Sequence, residues 1–166
     1  MNVTYIRNTG ILGGKFNERT RHLKPGSSLL SPSGPVYYST EDLYIGGKIE
    51  VCSHHFVLLD ADEYVFNYME SDPVKYKQSD KATVFKKVVQ FVASAGGPDF
   101  KRSLKSVFAE IDESGSQSID RLKAIDAARS LKLPLSDHEL VTLLRMFEEP
   151  ARRVNYSKLL GALDEF

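Results

Sequence analysis

The chain of 166 residues has a single cysteine, Cys52, so no disulfide can form within it, and a lone thiol suits a reducing compartment. It also lacks net charge. Its 22 basic groups balance 22 acidic ones, so no global field draws the molecule to nucleic acid or to a membrane surface. No apolar run approaches the roughly 20 residues of a membrane span, and Met1–Arg7 lack the apolar centre of a secretory signal. There is no Walker loop, no G-x-G-x-x-G fingerprint, no C-x-x-C pair and no Ser-His-Asp set. His54, His55, Asp60, Asp62 and Glu63 suggest metal ligands, but adjacent residues on a strand face opposite sides, so a polar turn and a helix cap is the better reading. The expectation is a cytosolic or cytoskeletal protein, not an enzyme, with no catalytic residue, cofactor or metal. What is present, 42% hydrophobic and 27% charged residues, is an ordinary globular composition sufficient for one or two small domains.

The most informative stretch is 99–166, which reads as two helix-loop-helix units in tandem. Phe100, Leu104, Val107, Phe108 and Ile111 lie on one helical stripe. The chain then enters Asp112-Glu113-Ser114-Gly115-Ser116-Gln117-Ser118-Ile119-Asp120, the outline of an EF-hand loop. Asp112, Ser114 and Ser116 stand at ligand positions one, three and five, and Ser118 offers its carbonyl at seven. Yet the sixth position, a turn glycine in a working loop, is Gln117, and the twelfth, a bidentate glutamate, is Lys123. The second unit carries Leu140, Leu143, Leu144 and Phe147, then Glu148-Glu149-Pro150-Ala151-Arg152-Arg153-Val154. That loop is one residue short, with Arg152 and Arg153 where ligands belong. Ile119 and Val154 can still bridge the loops, and Asp120 and Asn155 can cap the exiting helices. These features predict a degenerate EF-hand pair kept for packing, with Asp112, Ser114, Ser116 and Ser118 as the remnant of a metal site.

Residues 1–60 read as strands and turns. Lys15 through Pro35 is a long exposed loop with Lys15, Arg19, Arg21 and Lys24 in a basic cluster suited to an acidic surface, or simply a solvated loop. Ser39 and Asp42 are spaced for reciprocal capping. Lys48–Cys52 and His55–Asp60 then form an antiparallel hairpin about Ser53-His54. Phe56, Val57, Leu58 and Leu59 are apolar on both faces and predict a deeply buried strand, and Cys52 reads as a packed thiol. Asp62 can cap a helix through Glu70, and 71–79 is a polar linker. A helix over 80–95 presents Val84, Phe85, Val88, Val92 and Ala95 on one side, a stripe expected to dock on the EF-like pair. Ser136 and Glu139 make a capping box for the next helix.

The run Arg7–Arg19, the run Tyr37–Ile49, and Leu59–Tyr64 with Asn67–Glu70 resemble the last DM-ten domain of the EF-hand-containing ciliary proteins, the myoclonin-like family of axonemal ribbon proteins. The resemblance implies an α+β chain. A partial pleckstrin-homology-like antiparallel β-barrel over 1–72 is followed by a linker and amphipathic helix over 73–98 and an all-α degenerate EF-hand pair over 99–166. It implies a microtubule inner protein lining the lumen of ciliary or flagellar doublets, located in the axoneme and bound to tubulin and neighbouring inner proteins. Lys15, Arg19, Arg21 and Lys24 are the candidate contacts to acidic tubulin. The chain is expected to begin after the opening strands of the domain, leaving a sheet edge for another polypeptide to complete. A calcium sensor is the alternative. An adaptor for a kinase partner is a third class, because a DM-ten domain also precedes kinase domains in a nucleoside diphosphate kinase relative.

Overall fold

Local chemistry sets the element boundaries in the computed structural model, which describes residues 20–165. Two residues after Thr20, His22–Lys24 pairs with Val36–Tyr38. Lys24 N–H donates to the Val36 carbonyl at 2.9 Å and Tyr38 N–H to the His22 carbonyl at 2.9 Å. Residues 24–36 therefore form a loop closed at its base, with Arg21 just before it. Ser39 N–H donates to Asp42 Oδ2 at 2.7 Å, which fixes a short turn at Thr40–Asp42 as the spacing predicts.

Strands β1 (Lys48–Val51) and β2 (His54–Val57) form a two-stranded hairpin. Its turn is Cys52-Ser53, one residue earlier than expected, because both residues adopt positive φ, 52° and 60°, as primed hairpin turns require. Cys52 is accordingly exposed at the turn and is not a packed thiol. The apolar run after it is not buried on both faces either. Val57 is 50% exposed and Leu59 78%. A short apolar run states what a strand offers for burial, but not whether anything covers it.

The remaining elements are helices α1 (Glu63–Ser71), α2 (Lys81–Ser94) and α3 (Pro98–Ile111), strand β3 (Ser118–Asp120), helices α4 (Arg121–Ser130) and α5 (Asp137–Arg145), strands β4 (Glu148–Glu149) and β5 (Arg153–Asn155), and helix α6 (Tyr156–Asp164). Their starts are capped by side chains the sequence marks. Asp62 accepts from Val65 N–H at 2.8 Å, Asp80 from Ala82 N–H at 3.1 Å, and Asn155 from Lys158 N–H at 3.0 Å. Ser136 and Glu139 form the expected capping box. Gly96 and Gly97, both at positive φ, separate α2 from α3, and Pro98 opens the latter.

The fold is mixed α and β: six α-helices and two small antiparallel sheets among the described residues, with no closed barrel formed among them. Within those residues, 20–43 with 48–56 make one compact unit and 44–47 with 57–165 the other. The second unit holds the main core. Val84, Phe108, Leu144 and Val154 are fully buried, with Phe66, Val88, Leu104, Ile119, Leu159 and Leu163 around them. Helix α2 docks on α5 through its valine stripe, where Phe85 meets Phe147 at 6.3 Å and Lys87 bonds Glu139 at 2.5 Å. The polar segment before it is built in rather than free. Tyr76 and Ser79 are buried, and Thr142 donates to the Gln78 carbonyl at 2.9 Å.

His138, which sequence patterning did not single out, ties this unit together at 2% exposure. Its Nδ1 accepts from Ile45 N–H at 3.1 Å, so the ring proton sits on Nε2, 2.7 Å from Ser79 Oγ. Burial holds its pKa below the ordinary imidazole value.

Candidate functional site

The paired loops between α3 and α4 and between α5 and α6 are the centre of the candidate site. Strand β5 runs between β3 and β4. Ile119 faces Val154 in the β3–β5 register, flanked by Ser118 opposite Asn155 and Asp120 opposite Arg153. Both apolar partners are nearly inaccessible, at 3% and 0% exposure, so the bridge expected from sequence is also part of the core. Asp120 does cap α4, accepting from Leu122 N–H at 2.8 Å.

The first loop folds around Asp112, which is 8% exposed. Its Oδ1 accepts from the Ser114 hydroxyl at 2.9 Å and from Ser116 N–H at 3.2 Å. Its Oδ2 accepts from Gln117 N–H at 2.6 Å and from the Tyr156 hydroxyl at 3.1 Å. Burial pushes the carboxyl up, but these bonds outweigh it and hold its pKa at about 2. Gln117 takes φ of 60°, the left-handed conformation for which a glycine would be the ordinary choice. Asp112 holds the Gln117 amide in that conformation.

Lys123, at the twelfth loop position, is exposed on α4 and lines a groove with Val107, Glu110, Ile111 and Glu113. No acidic ligand closes the loop there. Glu148 pairs with Val154 and Glu149 with Arg153, making a tight hairpin whose tip, Ala151 and Arg152, has φ of 67° and 56°. Glu149 takes hydrogen bonds from Lys158 at 2.9 Å and Asn155 at 3.0 Å, which hold its pKa down. Arg153 leaves its own loop and reaches the first. Its guanidinium donates to Ser116 Oγ at 3.1 Å, to Ser118 Oγ at 3.4 Å and to the Ser118 carbonyl. Among the described residues, no group of three or more His, Cys, Asp or Glu side chains is placed to hold a metal ion.

Of the basic residues marked in the sequence, Lys15 and Arg19 lie outside the described residues. Arg21 is exposed and lies 6.0 Å over the Tyr37 ring. Lys24 is paired with Asp42 at 2.6 Å, which leaves it less available to a partner.

The model of the DM10 domain family matches residues 2–65. The EF-hand domain-containing family member C2 of Gallus gallus is 35% identical over 165 residues, covering 96% of this chain. The EF-hand domain-containing protein 1 of Homo sapiens is 30% identical over 185 residues, covering 95% of this chain. The chain belongs to the DM10 and EF-hand protein family. It spans about a fifth of the chicken relative's length and just over a quarter of the human one, 21% and 28%. The names of these relatives describe domain content and no reaction.

One constellation in this DM10 and EF-hand chain was not read from the sequence. Arg145, 7% exposed, bonds Glu70 at 2.6 Å, Asn67 at 3.0 Å and Glu63. Arg121, 2% exposed, meets Glu63 and Glu148 at 3.3 Å and Asp60 at 3.5 Å. Phe66 lies between them, its ring centre 4.7 Å from the Arg145 guanidinium and 5.2 Å from that of Arg121. Burial pushes Glu70 up, and its bonds from Arg145 and Lys81 more than reverse this. One signal for the cluster was present: Glu63, Asn67 and Glu70 fall at i, i+4 and i+7 on a single face of α1.

Acidification tests both titrating centres. His138 has a lowered pKa in the folded state, so its contribution is present above 6.5 and is lost as pH falls below that value. Asp112 keeps its contribution above its ordinary 3.8 and loses it as pH falls through about 2. The unfolding midpoint in urea, followed against pH, is expected to fall in both windows, and His138→Gln is expected to flatten the upper one.

Proposed function

We propose that this chain is a non-catalytic structural protein of the ciliary or flagellar axoneme. It would act as a microtubule inner protein that binds tubulin and neighbouring inner proteins in the doublet lumen. In this reading the first part is a partial DM10 domain of pleckstrin-homology-like type, and the helical part is a degenerate EF-hand pair. Family membership supports the domain assignment, and the ciliary setting comes from the resemblance of its sequence blocks to axonemal ribbon proteins.

The observation that carries the structural rather than the sensory reading is the position of α2. An EF-hand sensor works by exposing an apolar groove for a target helix when calcium binds. Here the chain's own α2 lies on the apolar face of the helices, with Val84, Val88 and Val92 between 0% and 4% exposed. A surface already filled in this way serves cohesion, not switching. Lys123 and Arg153 add positive charge where a sensor needs oxygen ligands.

Contacts with tubulin are assigned to the basic residues Lys15, Arg19 and Arg21, with the Asp42-paired Lys24 contributing less. Each exposed charge pair is weak, and repetition along a lattice supplies avidity. Among the described residues the β1–β2 hairpin has no third strand. Its edges suit strand addition by a neighbouring polypeptide. Charge reversal at Arg19 and Arg21 is expected to release the protein from purified axonemes at lower salt than the unaltered chain needs. Equal retention of both in the tubulin wall at every salt concentration would remove the basic loop from the account.

A further inference from the structure

We infer that Arg153 is the resident cation of the first loop, a guanidinium from the second loop occupying the place of a divalent ion. A calcium ion in such a loop would draw on the side chains at positions one, three and five and on the carbonyl at seven. In this chain the oxygens at five and seven, Ser116 Oγ and the Ser118 carbonyl, both accept from the Arg153 Nη2 nitrogen. Those at one and three, Asp112 and Ser114, are satisfied by each other and by Ser116, Gln117 and Tyr156. The oxygens at all four positions are thus bonded within the loop pair, two of them to a positive charge supplied covalently by the sister loop.

The register makes this possible. Asp120 faces Arg153 and Ser118 faces Asn155, so the Arg153 backbone sits across from the last turn of the first loop and its side chain needs only to lie back along that loop. Guanidinium suits the task because its planar donors are fixed and it stays charged at any working pH. The neighbouring Arg152 does something else, pairing with Asp60 at 3.0 Å. The consequence is a loop pair held in an ion-filled arrangement whatever the calcium concentration, and a latent cation site that Arg153 blocks.

The inference rests on reading these loops as EF-hand loops but not on binding to tubulin, which axoneme extraction tests separately. The probe is terbium, a calcium substitute, excited through tyrosine. Tyr156 serves as the antenna, since its hydroxyl lies 3.1 Å from Asp112. Lys123→Glu restores the missing twelfth ligand, and Lys123→Glu with Arg153→Gln also removes the internal cation. The double variant is expected to give saturable terbium luminescence that calcium competes away, with affinity at least tenfold above that of Lys123→Glu alone. A unit positive charge about 5 Å from a divalent ion opposes it by more than that factor even at the dielectric constant of water.

Equal affinity of the two variants, or a folded double variant with no signal, would overturn the assignment. So would saturable terbium binding at this loop by the unaltered chain. Should the double variant fail to fold, Arg153→Gln alone carries the test by hydrogen exchange. The Ser116 and Gln117 amides are then expected to exchange about fivefold faster, the loss of roughly one net hydrogen bond, while Arg152→Gln leaves them unchanged. Unaltered exchange in Arg153→Gln would equally contradict the inference.

Discussion

Arg145→Met is expected to destabilise the helical unit by about 3 kcal/mol, the scale seen when one partner of a buried ion pair is removed and the other is left behind. Methionine keeps most of the stem, so the loss is electrostatic rather than a cavity. Glu70 and Glu148, with side chains only 11% and 12% exposed, would face each other's field with less compensation. Lys81 stays with Glu70 and Arg121 with Glu148, which keeps the cost at the lower end of the range. Phe66 would also lose one of the two guanidinium groups on its ring. Urea unfolding at neutral pH measures this without the screening that guanidinium salts introduce. A change below about 0.5 kcal/mol, the ordinary size of a surface substitution, would mean that the cluster is solvated and idle.

The larger effect is expected from Val88→Asp. Val88 is 2% exposed in the middle of the α2 stripe. An unpaired carboxylate there would have to protonate or drive α2 off its seat, at a cost above about 4 kcal/mol. Against a total stability of about 5–15 kcal/mol for a domain of ordinary size, that is enough to lift the helix and expose the apolar face beneath it. The expected readout is a lost or strongly lowered thermal transition together with binding of an apolar dye. Lys86→Asp, two residues away on the exposed side, is the control and should change stability by no more than about 0.5 kcal/mol. If Val88→Asp behaved like that control, α2 would not be the lid on this core, and the case against a sensor would lose its main support.

Features fixed by neighbours in the chain were legible from the residues alone. The caps at Asp62, Asp120, Ser136 and Asn155 depend on bonds spanning two or three residues, and the structure forms each one. The Ile119–Val154 bridge was legible because each residue is the apolar position of its own loop, and two such positions have only each other to meet. What depended on distant partners was not legible. The run Phe56–Leu59 offers apolar surface, but nothing within it tells that Val57 and Leu59 stay exposed. Cys52 was misplaced because the hairpin turn shifted by one residue, and such a slip moves a side chain from strand to tip.

The candidate site divides in the same way. Its charge reversal at Lys123, Arg152 and Arg153 was plain in the sequence, and so was the shortness of the second loop. That Arg153 would serve the first loop was hidden, since only the β3–β5 register brings Ser118 and Arg153 within reach. His138 and the arginine pair around Phe66 were hidden for a similar reason. His138 draws its partners from 59 and 93 residues away and the arginines draw most of theirs from 27 to 82 residues away, so periodicity marked only the Glu63, Asn67 and Glu70 face.

The central claim, that these loops serve structure and adhesion rather than calcium sensing, is most directly tested by calorimetric titration of the intact chain with calcium. Only heats of dilution are expected through the micromolar range in which EF-hand sensors respond, with a thermal midpoint that is the same with calcium as with chelator. A saturable binding heat at micromolar calcium, with a matching rise in the midpoint, would contradict it.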